Sequence, residues 1–182
     1  MHHPDSYAHS VRVSLLSIDL GIENHLQESD LLLLGYGGLL HDAGKCDIPL
    51  GILSKPAALD QQEQEVMRGH SRLGFVALAD SRQLPVPYEL VRKIVVAHHE
   101  YKQEPYPRHG RDRRRSARAA PERRVHDHHA ATLAEMVAAA DIYDALASPR
   151  AYKPGFSHDR VESMMRAQFS GNPRYVDQLL RR

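Results

Sequence analysis

The chain has 182 residues, 42% of them hydrophobic and 26% charged, with a formal net charge of +1. That length suits one domain with a proper core, expected to span 1–182, and the near-zero charge gives no ground for a nucleic acid polymer or a membrane surface as partner. The single cysteine, Cys46, excludes an internal disulfide, and no apolar run approaches the roughly 18 residues of a membrane span, so a cytoplasmic protein without membrane insertion is expected.

Nearly every apolar run has helical spacing, and none of useful length alternates as a strand would. Segment 8–20 places Val11, Leu15 and Ile18 at i, i+4 and i+7, with Gly21 as its stop. Ser29 and Asp30 N-cap a helix over 31–42, where Leu39 and Leu40 anchor the end that leads into His41 and Asp42. Pro49, Gly51 and Pro56 make 46–60 a loop with room for one short helical turn. Helices follow at 60–80, opened by Leu59 and Asp60, at 87–99, preceded by Pro85 and Pro87, and at 130–147, 158–169 and 173–181. The expected architecture is all-α, six or seven helices with no internal repeat.

Residues 108–124 break the pattern: eight arginines against two acids give a local charge of +6 and leave −5 for the remainder. Such a block has no apolar face. It reads as a solvated, mobile loop within a basic insertion at about 108–129, or as an arginine rim that attracts a phosphate-bearing substrate or an acidic partner.

The chemistry begins at GGLLHDAGKCDIP, residues 37–49, where an apolar helix end meets His41, Asp42 and Lys45. A lone His-Asp pair is weak evidence, but His70, the pair His98-His99 and Asp141 lie at or near the middle or end of other expected helices. Asp141 interrupts the run MVAAADIYDAL, where a carboxylate without a partner would be costly to bury. Imidazoles and carboxylates without a thiolate set suit Fe, Mn, Zn or Ni, and a bridging Asp42 would favour two ions. Two such ions acidify water and clamp phosphoryl oxygens, which suits phosphoester hydrolysis, with Lys45 placed to hold a phosphate oxygen. Taken singly, such a residue reads as an ordinary core or surface group; the five or six together read as a shared site. Cys46 is expected to be a small buried residue rather than a ligand.

Taken in order, HDAGK, DIPLGILSKPAALD, EQEVMRGHSRLG, VAHHE and AADIYDALASPRAYK, over about 140 residues, resemble the HD-GYP family, a branch of the HD-domain metal-dependent phosphohydrolases. The resemblance implies an all-α, HD-domain-like bundle with two or three divalent ions, commonly Fe or Mn, that hydrolyses cyclic di-GMP or a related cyclic dinucleotide. Carried onto this sequence, it implies His9, His41, Asp42, His70, His98, His99 and Asp141 as metal ligands, with Asp42 bridging. It also implies Asp5 as a weaker third-ion candidate, Asp144 as the group that orients a ligand, and Lys45, Arg150 and Lys153 on substrate phosphates. Asp42 and Lys45 would carry the catalysis. The departure is Pro105-Tyr106-Pro107 where the family has Gly-Tyr-Pro, in a segment about one residue shorter. That loop is linked in the family to GGDEF-type partners, so such a partner is the more doubtful expectation. Two other readings stay open: a phosphohydrolase of the same superfamily acting on another nucleotide, and a module that binds a cyclic dinucleotide or a partner without turnover.

Overall fold

The computed structural model describes residues 4–80, 83–103, 128–149 and 155–182, and among these the regular structure is helical apart from one antiparallel bridge between Lys102 and Phe169. The basic insertion falls largely outside the described residues.

Helix α1 (Pro4–Glu23) runs past Gly21, its expected stop. A Cβ on Gly21 would stand 2.6 Å from Leu31 Cδ2 and 2.7 Å from Leu34 Cδ1, so this glycine serves helix approach rather than termination. Termination falls instead to His25, whose φ of 57° lets Leu26 N–H donate to Gly21 O and its own N–H donate to Ile22 O. Helix α2 (Glu28–Leu40) buries Leu33, Leu34, Gly37 and Gly38. The expectation that Leu39 helps anchor its end is corrected, since Leu39 is 39% exposed. The anchor is close backbone contact: a Cβ on Gly38 would lie 2.7 Å from Ser14 Cα, and one on Gly37 2.7 Å from Ile94 Cγ2. Side chains larger than hydrogen would push α2 off α1 and α6.

A 3-10 turn (Ala43–Asp47) and the one-turn α3 (Leu50–Leu53) fill the expected loop. Cys46 sits on the outer side of that turn and is exposed, against the expectation of burial. The single helix expected over 60–80 is divided at Gly69 into α4 (Gln61–Arg68), opened by a capping box between Asp60 and Glu63, and α5 (His70–Ala77), followed by a 3-10 turn (Leu78–Asp80). Close packing is the reason α5 holds its place: a Cβ on Gly44 would lie 1.9 Å from His70 O and 2.3 Å from Gly74 N. Among the described glycines none has positive φ, so what Gly44 supplies is this close approach and not a left-handed turn.

Helix α6 (Tyr88–Ala97) leads into His98 and His99. Helix α7 (His128–Ala147) is the central element, with an almost unbroken buried run from Leu133 to Ile142, and it packs on α1, α2, α6, α8 (His158–Gln168) and α9 (Pro173–Leu180). An Asn172 cap and Pro173 in the first turn start α9. The core joins Val13, Leu20, Leu34, Ile94, Leu133, Val137, Met165 and Leu179, each worth about 1.5–3 kcal/mol if fully buried. None of the described helices is long and apolar enough to cross a membrane.

Candidate metal centre

Five helices deliver the polar residues to one place in this apolar interior. His9 comes from α1, His41 and Asp42 from the end of α2, His70 from the start of α5, His98 and His99 from the end of α6, and Asp141 from the middle of α7. The five histidines and Asp141 are each 8% exposed or less. Their ligand-type atoms fall into overlapping groups, His9 with His41 and Asp141, His41 with Asp42 and His98, and His70 with His98 and His99, the atoms of each group lying within 4.8 Å of one another. Groups so clustered could hold metal ions, and Asp42 stands between them. Its Oδ1 is 3.3 Å from His70 Nε2 and its Oδ2 is 3.3 Å from His41 Nε2.

The hydrogen bonds on the far side of the rings decide what these nitrogens can do. Nδ1 of His41 donates to Gly38 O at 2.7 Å, Nδ1 of His70 to Met67 O at 2.8 Å and Nδ1 of His98 to Val95 O at 2.6 Å. A carbonyl only accepts, so each Nδ1 carries a proton, and whenever such a ring is neutral its Nε2 presents a lone pair inward. His70 Nε2 is then 3.4 Å from His98 Nε2 and 3.2 Å from His99 Nε2, with His98 contributing no proton to share. His41 Nε2 is buried and makes no well-directed hydrogen bond, though Asp42 and Asp141 oxygens stand 3.3 and 3.8 Å away. Converging lone pairs and carboxylates are the donor set of a divalent cation, so the residues present fit the group that the resemblance implies.

His9 is held differently. Its Nδ1 lies 2.6 Å from Asp144 Oδ2 while its Nε2 faces Asp141 Oδ1 at 3.2 Å. Asp144 in turn receives Arg12 Nε at 2.6 Å and Nη2 at 3.0 Å and the Ser148 hydroxyl at 2.7 Å. Burial works against charge on His9, yet the Asp141 and Asp144 carboxylates outweigh it and raise its pKa from 6.5 to about 9. Burial alone would raise Asp144, but His9, Arg12 and Ser148 bring it down to about 2. Burial dominates at His98 and His99 and, with the neighbouring imidazoles, holds both well below the ordinary histidine value, hence neutral and fit to ligate. Asp42 and Asp141 stay ionised despite burial, through His41 and Lys45 for the first and Lys102 and His9 for the second.

All seven expected ligands thus meet in one cluster, Asp144 stands behind His9, and Lys45 Nζ reaches Asp42 Oδ2 at 2.5 Å. Arg150, Lys153, the Asp5 side chain and Pro105-Tyr106-Pro107, on which the partner expectation rests, lie outside the described residues. Sequence reasoning passed over Arg12, Ser148 and Lys102. The first two had a signal, since Arg12 is one turn from His9 and Ser148 one turn from Asp144, on the faces those residues already mark.

The family model described as the HD domain matches residues 6–146. A cyclic di-GMP phosphodiesterase of Vibrio cholerae is 35% identical over 129 residues, 69% of this chain and 23% of that protein. The cyclic di-GMP phosphodiesterase response regulator RpfG of Xanthomonas campestris is 33% identical over 159 residues, 86% of this chain and 38% of its own. A 3'3'-cGAMP-specific phosphodiesterase of Vibrio cholerae is 29% identical over 176 residues, 95% of this chain and 30% of its own. The chain therefore spans well under half the length of these relatives.

Proposed function

The chain belongs to the HD-domain family, and from that premise we propose that it is a metal-dependent phosphodiesterase of HD-GYP type acting on a cyclic dinucleotide, with cyclic di-GMP as substrate. The observation that carries the reading is the set of inward-facing Nε2 atoms around Asp42 and Asp141, their tautomers fixed from behind by backbone carbonyls. His9, His41 and Asp141 would hold one ion, His70, His98 and His99 the other, and Asp42 would bridge them. Fe and Mn are the proposed metals, with Zn or Ni as substitutes on isolation. When bound, such a pair of ions supplies Lewis acidity toward a phosphoryl oxygen and an acidified water.

The chain's own residues do the rest. The rigid helix ends keep the imidazoles in place without reorganisation, and the surrounding apolar core keeps the local dielectric low, which strengthens every charge interaction at the site. Lys45, with 32% of its side chain exposed, reaches from the rim to the Asp42 carboxylate and is placed to take a phosphate oxygen there. Asp144 keeps His9 turned toward Asp141. Arg150 and Lys153 are proposed to complete the phosphate contacts.

The test is metal analysis of the purified protein together with turnover of cyclic di-GMP and 3'3'-cGAMP under reducing, anaerobic conditions with Mn²⁺ or Fe²⁺. Two bound ions with hydrolysis of cyclic di-GMP are expected. Hydrolysis of 3'3'-cGAMP alone would move the substrate to the related dinucleotide, and two ions with no hydrolysis of either would leave a binding module instead of an enzyme.

A further inference from the structure

Lys102 follows His99 by three residues in a stretch that the sequence motifs left without a role, yet its ammonium lies 3.4 Å from Asp141 Oδ2. The two oxygens of Asp141 divide the work: Oδ1 faces the imidazoles of His9 and His41, at 3.2 and 3.8 Å, and Oδ2 faces Lys102. Lys45 stands in the same relation to Asp42, with Oδ1 toward His70 and Oδ2 shared between His41 and the ammonium. Each carboxylate of the cluster is thus backed by a lysine that comes in from solvent, the side chains 26% and 32% exposed.

The backbone that carries Lys102 is fastened on both sides. Gln103 N–H donates to Gln168 O at 2.9 Å and Ser170 N–H to Tyr101 O at 2.8 Å, making the antiparallel bridge of Lys102 with Phe169, while the Tyr101 hydroxyl donates to Ala131 O at 2.8 Å. Phe169 is a buried member of the core. The end of α8 and the two residues after it, together with Ala131 of α7, therefore fix the backbone of Lys102 relative to the helix that supplies Asp141. A lysine that only solvated the surface would not need three hydrogen bonds from two other segments to set its position.

We propose that Lys102 is a phosphate-binding residue of this centre, a second ammonium that takes an oxyanion of the phosphodiester while remaining beside Asp141. An ammonium has three donors, so it can serve a carboxylate and a phosphate oxygen together. Two lysines approaching from different elements, one after α2 and one after α6, suit a diester whose two non-bridging oxygens both need charge neutralised. The inference rests on the phosphodiesterase reading and deepens it by naming a residue that reads the phosphate.

The experiment compares the wild-type chain with Lys102→Met, Lys102→Gln and Lys102→Arg, all loaded with Mn²⁺. Calorimetry gives the Kd for inorganic phosphate and, in the metal-free protein, for Mn²⁺; KM and kcat are measured on bis(p-nitrophenyl) phosphate. The expected result is a phosphate Kd and a KM raised about tenfold in the Met and Gln variants, held within about threefold in Arg, with Mn²⁺ binding no weaker than wild type. Since Met keeps the length of the stem and Gln its polarity, a folding failure in one leaves the other to decide, with thermal melts checking both. If wild type binds phosphate and the Met and Gln variants bind it equally well, Lys102 merely neutralises Asp141 and the proposal is overturned while the phosphodiesterase reading stands. If Mn²⁺-loaded wild type binds no phosphate and cleaves no diester, both fall together.

Discussion

Replacing Asp144 by Asn probes the group behind His9, because the substitution keeps shape and volume and removes charge. The carboxylate accepts from four donors: the His9 ring, two atoms of Arg12, and the Ser148 hydroxyl, at 2.6 to 3.0 Å. An amide has one accepting side, so whichever way it turns, its NH2 must face a donor with a donor. With 41% of its side chain exposed against 3% for Asp144, Arg12 can turn to water, whereas His9 at 11% cannot. The lasting loss is therefore the charge-assisted contact to His9, about 2 kcal/mol of folding stability and, at this chain length, a fall in Tm of roughly 4–8 °C. Through the looser His9 ring, Mn²⁺ affinity should drop about 10- to 100-fold, measured by calorimetric titration of the metal-free protein. An Asn variant that melts lower yet binds Mn²⁺ as tightly as wild type would refute the reasoning and reduce Asp144 to an anchor between α1 and α7.

Asp42→Ala should remove metal and activity together, whereas Lys45→Ala should keep the full metal content and lower turnover at least tenfold, as elemental analysis beside the diesterase assay will tell. Full metal occupancy in Asp42→Ala would contradict its place between the ions. Gly44→Ala drives a methyl into His70 O and Gly74 N, so a loss of about 3 kcal/mol or more in urea unfolding is expected, with an unchanged midpoint as the contrary result. Glu135, whose pKa burial raises above 4.5 despite its bond from Asn172 N–H, is comfortable when protonated and costly when charged. Its contribution is present below pH 4.5 and lost as pH rises through the folded-state value. Glu135→Gln should therefore melt higher than wild type at pH 7 and alike at pH 4, and an equal gap at both values would discount the burial argument.

The residues that cluster were legible in part because several interrupt or end an apolar run, and charge in such a place demands a partner. His41, the pair His98-His99 and Asp141 have that signature, whereas His70, in the polar stretch MRGHSRLG, does not. What could not be read depends on the third dimension. Gly37, Gly38 and Gly44 look like turn residues in one dimension and prove to be contact points, because the cost of a Cβ is set by a neighbour far away in sequence. Cys46 and Leu39 were placed by hydrophobicity alone, and a short 3-10 turn and a helix end put them outside. Lys102 took its meaning from residues 168–170, some 66 positions on, that no local pattern connects to it.

The three imidazoles that donate to Gly38, Met67 and Val95 do more than choose a tautomer. Those carbonyls belong to the last turns of α2, α4 and α6, where a helix runs out of amide partners. Each histidine therefore closes a helix with one nitrogen and faces the cluster with the other, so that losing it frays the scaffold as well as the site. Asp42 and Asp141 close no helix in this way. Replacing either carboxylate would leave these helix ends closed, whereas replacing His41, His70 or His98 would open one, so the scaffold depends on the histidines more than on the acids they face.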